Sequence, residues 1–322
     1  MTKAWVLGSS GLLGSALCRS LRRNGTDLFV PADRFCWDNV AELSTQIAAA
    51  VEAFSSQVGA TDRWEIYWAA GVGAMSSSAE SLAPETCALS LLLQRLEDDS
   101  RLMGTSGTIA FASSAGAIYA ESSDDIITEN TEPTPTTDYA REKLRQEDLV
   151  RTFAIRNSRT NALISRISSL YGSGQATGKK QGLLTHIARS ILRNRPIQIY
   201  VPYDTMRDYI TADDAAATMI AALGNTNGNP RVLTKIVASE QPTTIAEIIS
   251  VFRRIARRSP RIITSASKLS SLYARRVQFQ SVILPELPIT PPQSLIIGIA
   301  RLMTAERSAF VSRAGETNPS RN

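Results

Sequence analysis

Tyr139 and Lys143 stand four residues apart in the segment TDYAREK, which runs from Thr137 to Lys143. On a helix, side chains at that spacing share one face and act on one small volume. A phenol alone moves protons poorly near neutrality, because its ordinary pKa is about 10. A fixed cation beside it favours the phenolate and brings it into a useful range. Both residue types are common, so the pair means chemistry only if the rest of the chain builds a site around it.

A second group of residues has the spacing of a phosphate-binding turn. KAWVL, from Lys3, is a short apolar strand; GSSGLLG follows at once, and a helical run from Leu12 to Arg23 comes next. In that order Gly8 permits the tight turn, Gly11 lets backbone approach a pyrophosphate, and Gly14 lets the helix pack closely on the sheet. Leu12 and Leu13 open the helix, whose free amides and positive dipole end face the phosphates. About twenty residues beyond the glycines, past a second strand DLFV, stand Asp33 and Arg34. An acid there binds the ribose hydroxyls of NAD and an arginine accommodates the extra phosphate of NADP, so either cofactor remains open. Asp38 could face the adenine, although Asp33 and Asp38 read equally well as solvated loop residues. A later strand, GTIAFASS, ends in Ser113 and Ser114. A serine hydroxyl at that edge could hold the oxygen whose proton Tyr139 moves, or could cap a turn.

Positioning these groups requires an alternation of elements, and the chain supplies one. Strands begin at Lys3, Asp27, Trp64, Gly107 and Asn161; helices cover Leu12 to Arg23, Val40 to Phe54, Pro84 to Glu97 and the YAREK segment. Apolar strands alternating with helices argue for a parallel sheet covered on both faces. Past Ile167 the rhythm loosens. YGSGQATGKKQG reads as a glycine-rich loop, Leu183 to Arg193 as a helix, and strands at Ile197 and Arg231 flank a helix beginning near Asp213. Thr244 and Glu247 form a capping box for a helix from Ile245. The expected fold is α/β, a doubly wound parallel sheet of the Rossmann type with a smaller carboxyl-terminal substrate domain. Residues 1–168 would be the dinucleotide-binding domain and 169–315 mainly the substrate domain, with a segment near 207–237 returning to the first and 316–322 a disordered tail.

Composition excludes several other classes. With 43% hydrophobic and 20% charged residues in a chain of 322, an ordinary soluble globular protein is expected. The net charge of +5 is concentrated from Val251 to Arg276, where Arg253, Arg254, Arg257, Arg258, Arg261, Lys268, Arg275 and Arg276 occur without an acid. That run reads as a solvated face as readily as an anion-binding patch. Aromatic residues do not alternate with it, so nucleic acid is not an expected partner. Three scattered cysteines and one histidine give neither a disulfide framework nor a metal site. Glycines break the apolar run at the amino terminus, and Pro285, Pro288, Pro291 and Pro292 break the late one, so a cytoplasmic protein with no membrane partner is expected.

With GSSGLLG after the first strand, WAAG after the third, SSAGAIY after the fourth, YAREK on a helix and RDYITADDAA later, the chain resembles the extended short-chain dehydrogenase/reductases. Among them it is similar to the NAD-dependent epimerase/dehydratase group that acts on nucleotide sugars. The resemblance runs from Lys3 to about Leu223. It implies that Tyr139 is the catalytic acid/base, that Lys143 holds the nicotinamide ribose and depresses the tyrosine pKa, and that Ser114 polarises the reacting carbonyl or hydroxyl. Ala69, Ala70 and Gly71 would line the cofactor, and Arg207 would contact the substrate diphosphate; apart from the resemblance, the basic stretch near Arg275 and Arg276 could help neutralise that diphosphate, though most of its arginines read as solvated surface. Ser169 stands where the family often has an asparagine that contacts substrate, and Ala120 replaces a glycine common after Tyr119. The usual serine or threonine falls at Ala115, so giving its role to Ser114 needs a local shift of the loop, with Ser113 as the fallback. Dehydratases of the group carry Thr-Asp-Glu where this chain has Ser114 to Ala117, so 4,6-dehydration is not expected. The implied function is an NAD(P)-dependent nucleotide-sugar epimerase or ketoreductase acting at C4. It would be a homodimer sharing the helices that begin near Pro84 and Asp138. The rival is a dinucleotide-sensing regulator on the same fold that performs no chemistry.

Overall fold

The apolar runs that begin near Lys3, Asp27, Trp64, Gly107, Asn161 and Arg231 become strands of one sheet in the computed structural model of the chain, and the run at Ile197 pairs in a separate one. Described are residues 1–174, 182–225, 231–258, 260–264, 276–287 and 291–316. In chain order come β1 (Thr2–Leu7), α1 (Leu12–Arg23), β2 (Asp27–Phe29), α2 (Val40–Ser56), β3 (Arg63–Trp68), α3 (Ala79–Glu97), α4 (Ser100–Gly104), β4 (Ser106–Ser114), α5 (Ala115–Ile118), α6 (Asp138–Arg156) and β5 (Thr160–Ile167). Then follow β6 (Ser169–Tyr171), α7 (Leu183–Leu192), β7 (Ile197–Ile199), β8 (Met206–Thr211), α8 (Ala212–Gly224), β9 (Val232–Val237), β10 (Pro242–Thr244), α9 (Ile245–Ala256), β11 (Ile262–Thr264) and α10 (Leu295–Glu316).

The main sheet has six strands in the order β2-β1-β3-β4-β5-β9, all parallel. Side chains alternate across it with the period of a strand. On β1, Trp5 and Leu7 enter a core with Phe54, Leu89 and Phe153 from α2, α3 and α6. Ala4 and Val6 enter the opposite one with Leu17 and Met219 from α1 and α8. The sheet is therefore doubly wound, as its near-continuous apolar strands required.

Smaller sheets, β10-β8-β6 and β11-β7, accompany a third core that α7, α9 and α10 share. The chain comes back from this part to the main sheet through α8 and β9. Lys235 on β9 is buried, and its Nζ donates to Ser281 Oγ at 2.8 Å and to the Ile283 carbonyl at 2.6 Å. Glu129 accepts from Ile236 N and Val282 N at 2.7 and 2.8 Å, so three distant segments meet at one polar cluster.

Element bounds differ from the sequence reading in specific places. The third helix starts at Ala79 instead of Pro84, because Ser78 caps it by accepting from Ser81 N. The expected capping box of Thr244 and Glu247 forms at α9. The helix α10 continues through Glu316, the first residue of the tail expected over 316–322. Residues 317–322, most of the loop 171–182, Lys268, Arg275 and Pro288 lie outside the described residues. Among the described residues no helix is long and apolar enough to cross a membrane.

Candidate functional site

At the end of β1 the chain turns under a tight constraint. Gly8 has φ +82°, and a Cβ there would come within 2.6 Å of Ala70 N. A Cβ on Gly14 would lie 2.1 Å from the Gly8 carbonyl oxygen, so α1 crosses the turn at a separation only glycine allows. Gly11 precedes α1 as its cap and offers no side chain to the first amides of the helix. Those amides are left for a ligand, which is the donor set a pyrophosphate needs.

The turn forms one wall of a cavity of about 320 Å³. Gly11, Leu12 and Leu13 line it from the turn, Ala69, Ala70 and Gly71 from beyond β3, Ser113 and Ser114 from the end of β4, and Tyr139 and Lys143 from α6. The contributing strand ends are carboxyl ends of parallel strands, the edge where open α/β sheets bind ligands. Bare backbone and small side chains on the glycine side, with polar groups opposite, suit a dinucleotide.

The opposite wall carries the titratable groups. Thr137 caps α6 by accepting from Ala140 N at 3.2 Å, which fixes where the helix starts and puts Tyr139 and Lys143 side by side. The Lys143 ammonium lies 5.8 Å from the Tyr139 ring centroid and 5.1 Å from that of Phe111. It donates to Gln146 Oε1 at 3.0 Å, and Gln146 Nε2 donates to Thr86 Oγ1 at 2.8 Å, tying α6 to α3. Loss of solvent pushes the Tyr139 phenol up to about 12, with the Glu85 carboxylate adding to the rise and a hydrogen bond from Ser114 opposing it. Burial lowers the Lys143 pKa, countered first by Glu85 and then by Glu147 and Glu142. The expectation that Lys143 depresses the phenol is not met in this arrangement: desolvation and then Glu85 raise its pKa, and the effect opposing them comes from Ser114.

The two serines of β4 part company. Ser113 is buried and its hydroxyl donates to Glu147 Oε1 at 2.6 Å. Glu147 is in turn held by Arg166, whose Nη2 donates to Oε2 at 2.7 Å and whose Nη1 donates to the Tyr119 hydroxyl. Ser114 is the serine bonded to Tyr139.

Other expected residues lie elsewhere. Asp33, Arg34 and Asp38 are exposed beyond β2 and are not on the described cavity wall. Ser169 is not on it either, although its neighbours Ser168 and Leu170 are. Ser168 donates to Asp208 Oδ1 at 2.5 Å. Arg207 sits on β8, where Nη1 donates to the Met206 carbonyl at 2.6 Å, and Arg276 is exposed; neither is among the described lining residues. Glu85, Gly73 and Ser168 line the cavity without having been singled out by the sequence. Glu85 carries no motif and reaches the site only because α3 packs beside α6. Among the described residues no cluster of three or more histidines, cysteines or acids could hold a metal ion.

Comparison with known proteins places this geometry. The family model described as "NAD dependent epimerase/dehydratase family" matches residues 4–234. The chain is 29% identical over 125 residues to a dTDP-L-rhamnose 4-epimerase of Burkholderia thailandensis, a match covering 38% of this chain and 33% of that protein. It is 31% identical over 115 residues to a dTDP-4-dehydro-6-deoxyglucose reductase of Escherichia coli, covering 36% of each. Each match spans about a third of the relative's own length. A UDP-glucose 4-epimerase of Thermotoga maritima, solved with UDP-glucose, superposes with a TM-score of 0.78 at 16% identity over 96% of this chain and 100% of that chain. RMD from Pseudomonas aeruginosa, complexed with NADPH, gives 0.77 at 19% identity over the same shares. At such identities the likeness is one of fold.

Proposed function

The chain belongs to the NAD dependent epimerase/dehydratase family, and from that premise we propose that it is an NAD(P)-dependent nucleotide-sugar epimerase or ketoreductase acting at C4. The observation that carries this reading is the convergence of Ser114, Tyr139 and Lys143 on one wall of a cavity whose other wall is the glycine turn. The names of two of the curated relatives, a 4-epimerase and a reductase of a 4-dehydro sugar, support C4 as the reacting carbon.

When bound, the dinucleotide supplies an acceptor or donor of hydride. The chain's own residues do the rest. Amides at the start of α1 hold the diphosphate, and Ala69, Ala70 and Gly71 let the ligand lie close to backbone. The Ser114 hydroxyl orients the sugar oxygen, and Tyr139 takes a proton from that oxygen or returns one to it. Lys143 holds a ribose hydroxyl and contributes positive charge beside the phenol. Just beyond β2, Asp33 and Arg34 would choose between the ribose hydroxyls of NAD and the phosphate of NADP. We assign dinucleotide binding to residues 1–168 and sugar-nucleotide binding mainly to 169–315, with 207–237 returning to the first part. Two copies would share the outer faces of α3 and α6. The segment Ser114 to Ala117 carries no carboxyl group, which argues against water elimination from the sugar.

The test is an assay of dTDP- and UDP-hexoses and their 4-keto forms with NAD or NADPH. At least one should be converted at C4, and Tyr139→Phe should lose turnover by about 10³-fold while keeping its nucleotide affinity. Retained turnover in that variant would sink the assignment, and a 4-keto-6-deoxy product from a hexose would overturn the exclusion of dehydration.

A further inference from the structure

Glu85 is the one acid and Lys143 the one cation among the described residues lining the cavity. The Glu85 side chain is half-buried, and its Oε1 accepts hydrogen bonds from Val72 N and Gly73 N, both at 2.6 Å. Two amides on one oxygen fix the direction of the carboxylate. Its Oε2 is turned toward Gly71, where a Cβ would come within 3.1 Å of it. Gly73 lies between this carboxylate and the phenol: its amide donates to Glu85, and a Cβ there would meet the Tyr139 ring at 3.2 Å. The loop that Glu85 holds is the loop against which Tyr139 packs. A fixed negative charge has thereby been built into the wall beside the proton-transfer pair.

Resting on the functional reading above, in which the reacting ring lies against Tyr139 and Lys143, we propose that Glu85 sets the cavity's preference between oxidised and reduced cofactor. An anchored carboxylate favours a cationic ring over a neutral one by direct attraction, and a narrow cavity screens that attraction less than open water does. The remaining charges around it support the assignment. From α6, Tyr139 and Lys143 face Glu85; Glu142 and Glu147 also act on Lys143, and Glu147 is committed to Arg166. Burial raises the phenol's pKa and the same carboxylate adds to the rise, so both effects of Glu85 pull toward reduction of a carbonyl.

Affinity, measured without turnover, separates this role from a merely structural one. Wild-type protein and the variants E85Q, E85A and E85D are titrated with NAD+ and NADH, or with the phosphorylated pair if the wild type prefers it, by calorimetry. Glutamine keeps an oxygen for the two amides and removes the charge; alanine removes both; aspartate keeps the charge. E85Q should raise the ratio of the oxidised to the reduced Kd by about fivefold or more, E85A should do the same while weakening both ligands, and E85D should stay near the wild-type ratio. A ratio unchanged within twofold in E85Q, or shifted equally in E85D, overturns the inference and leaves the functional reading standing. Wild-type protein that binds neither dinucleotide overturns that reading and this inference with it.

Discussion

The hydroxyls of Ser113 and Ser114 go to different partners, and the difference sorts support from chemistry. Ser113 is spent on Glu147, a buried carboxylate already paired with Arg166. Such a pair is costly to break, because the survivor would be an uncompensated buried charge. The hydrogen bond from Ser114 opposes the rise that burial and Glu85 impose on the Tyr139 pKa. Removing it destabilises the phenolate and raises the pKa further, so a more alkaline solution is needed to ionise the group. In the oxidation direction Ser114→Ala should therefore move the rising limb of the pH–rate profile upward by about one unit and lower kcat by about 10²-fold. A limb that stays in place with kcat intact would remove Ser114 from the site. The pairing of Tyr139 with Lys143 was legible in the sequence because their spacing on one helix points to it, whereas Ser113 and Ser114 stayed alternatives there. The balance of effects on the phenol was not legible, since it depends on Glu85 from another helix.

At the scale of elements, the turn between β1 and α1 is the most constrained piece of the fold. Its helix runs from Leu12 to Arg23, as the sequence indicated, because apolar positions and the glycine cap are both local signals. Gly14→Ala would place a methyl group 2.1 Å from a backbone oxygen that cannot rotate away. The helix must then lift from the turn, which should cost about 1–3 kcal/mol of stability by overpacking and weaken dinucleotide binding by about tenfold. Thermal melting and nucleotide titration check this, and a variant with wild-type melting and affinity would contradict the close approach. The strands β6, β7, β10 and β11 have three residues each, too few for a period-2 pattern to register. Only β7 was expected, from a longer apolar run.

For the whole molecule, α3 and α6 pack together on one side of the main sheet, and Asp138 at the start of α6 accepts from Ala79 N at the start of α3. Their outer surfaces thus form one face, and the dimer proposed on it should give a solution mass twice the 34.9 kDa of one chain. Light scattering of the eluted protein decides this, and a monomer at working concentration would refute it. The sequence by itself determined what lies within one turn or one helix: the glycines at 8, 11 and 14, the phenol and ammonium one helical turn apart, and the alternation that makes a doubly wound sheet. Local spacing is sufficient there because backbone geometry converts it directly into position. Only the tertiary structure decided which serine serves the phenol, that Asp33, Arg34, Ser169, Arg207 and Arg276 stand off the described cavity wall, and that Glu85 stands on it. Those outcomes follow from how α3 packs beside α6 and how the strand ends are aligned across the sheet, and packing between distant segments leaves no fixed spacing in the chain to read.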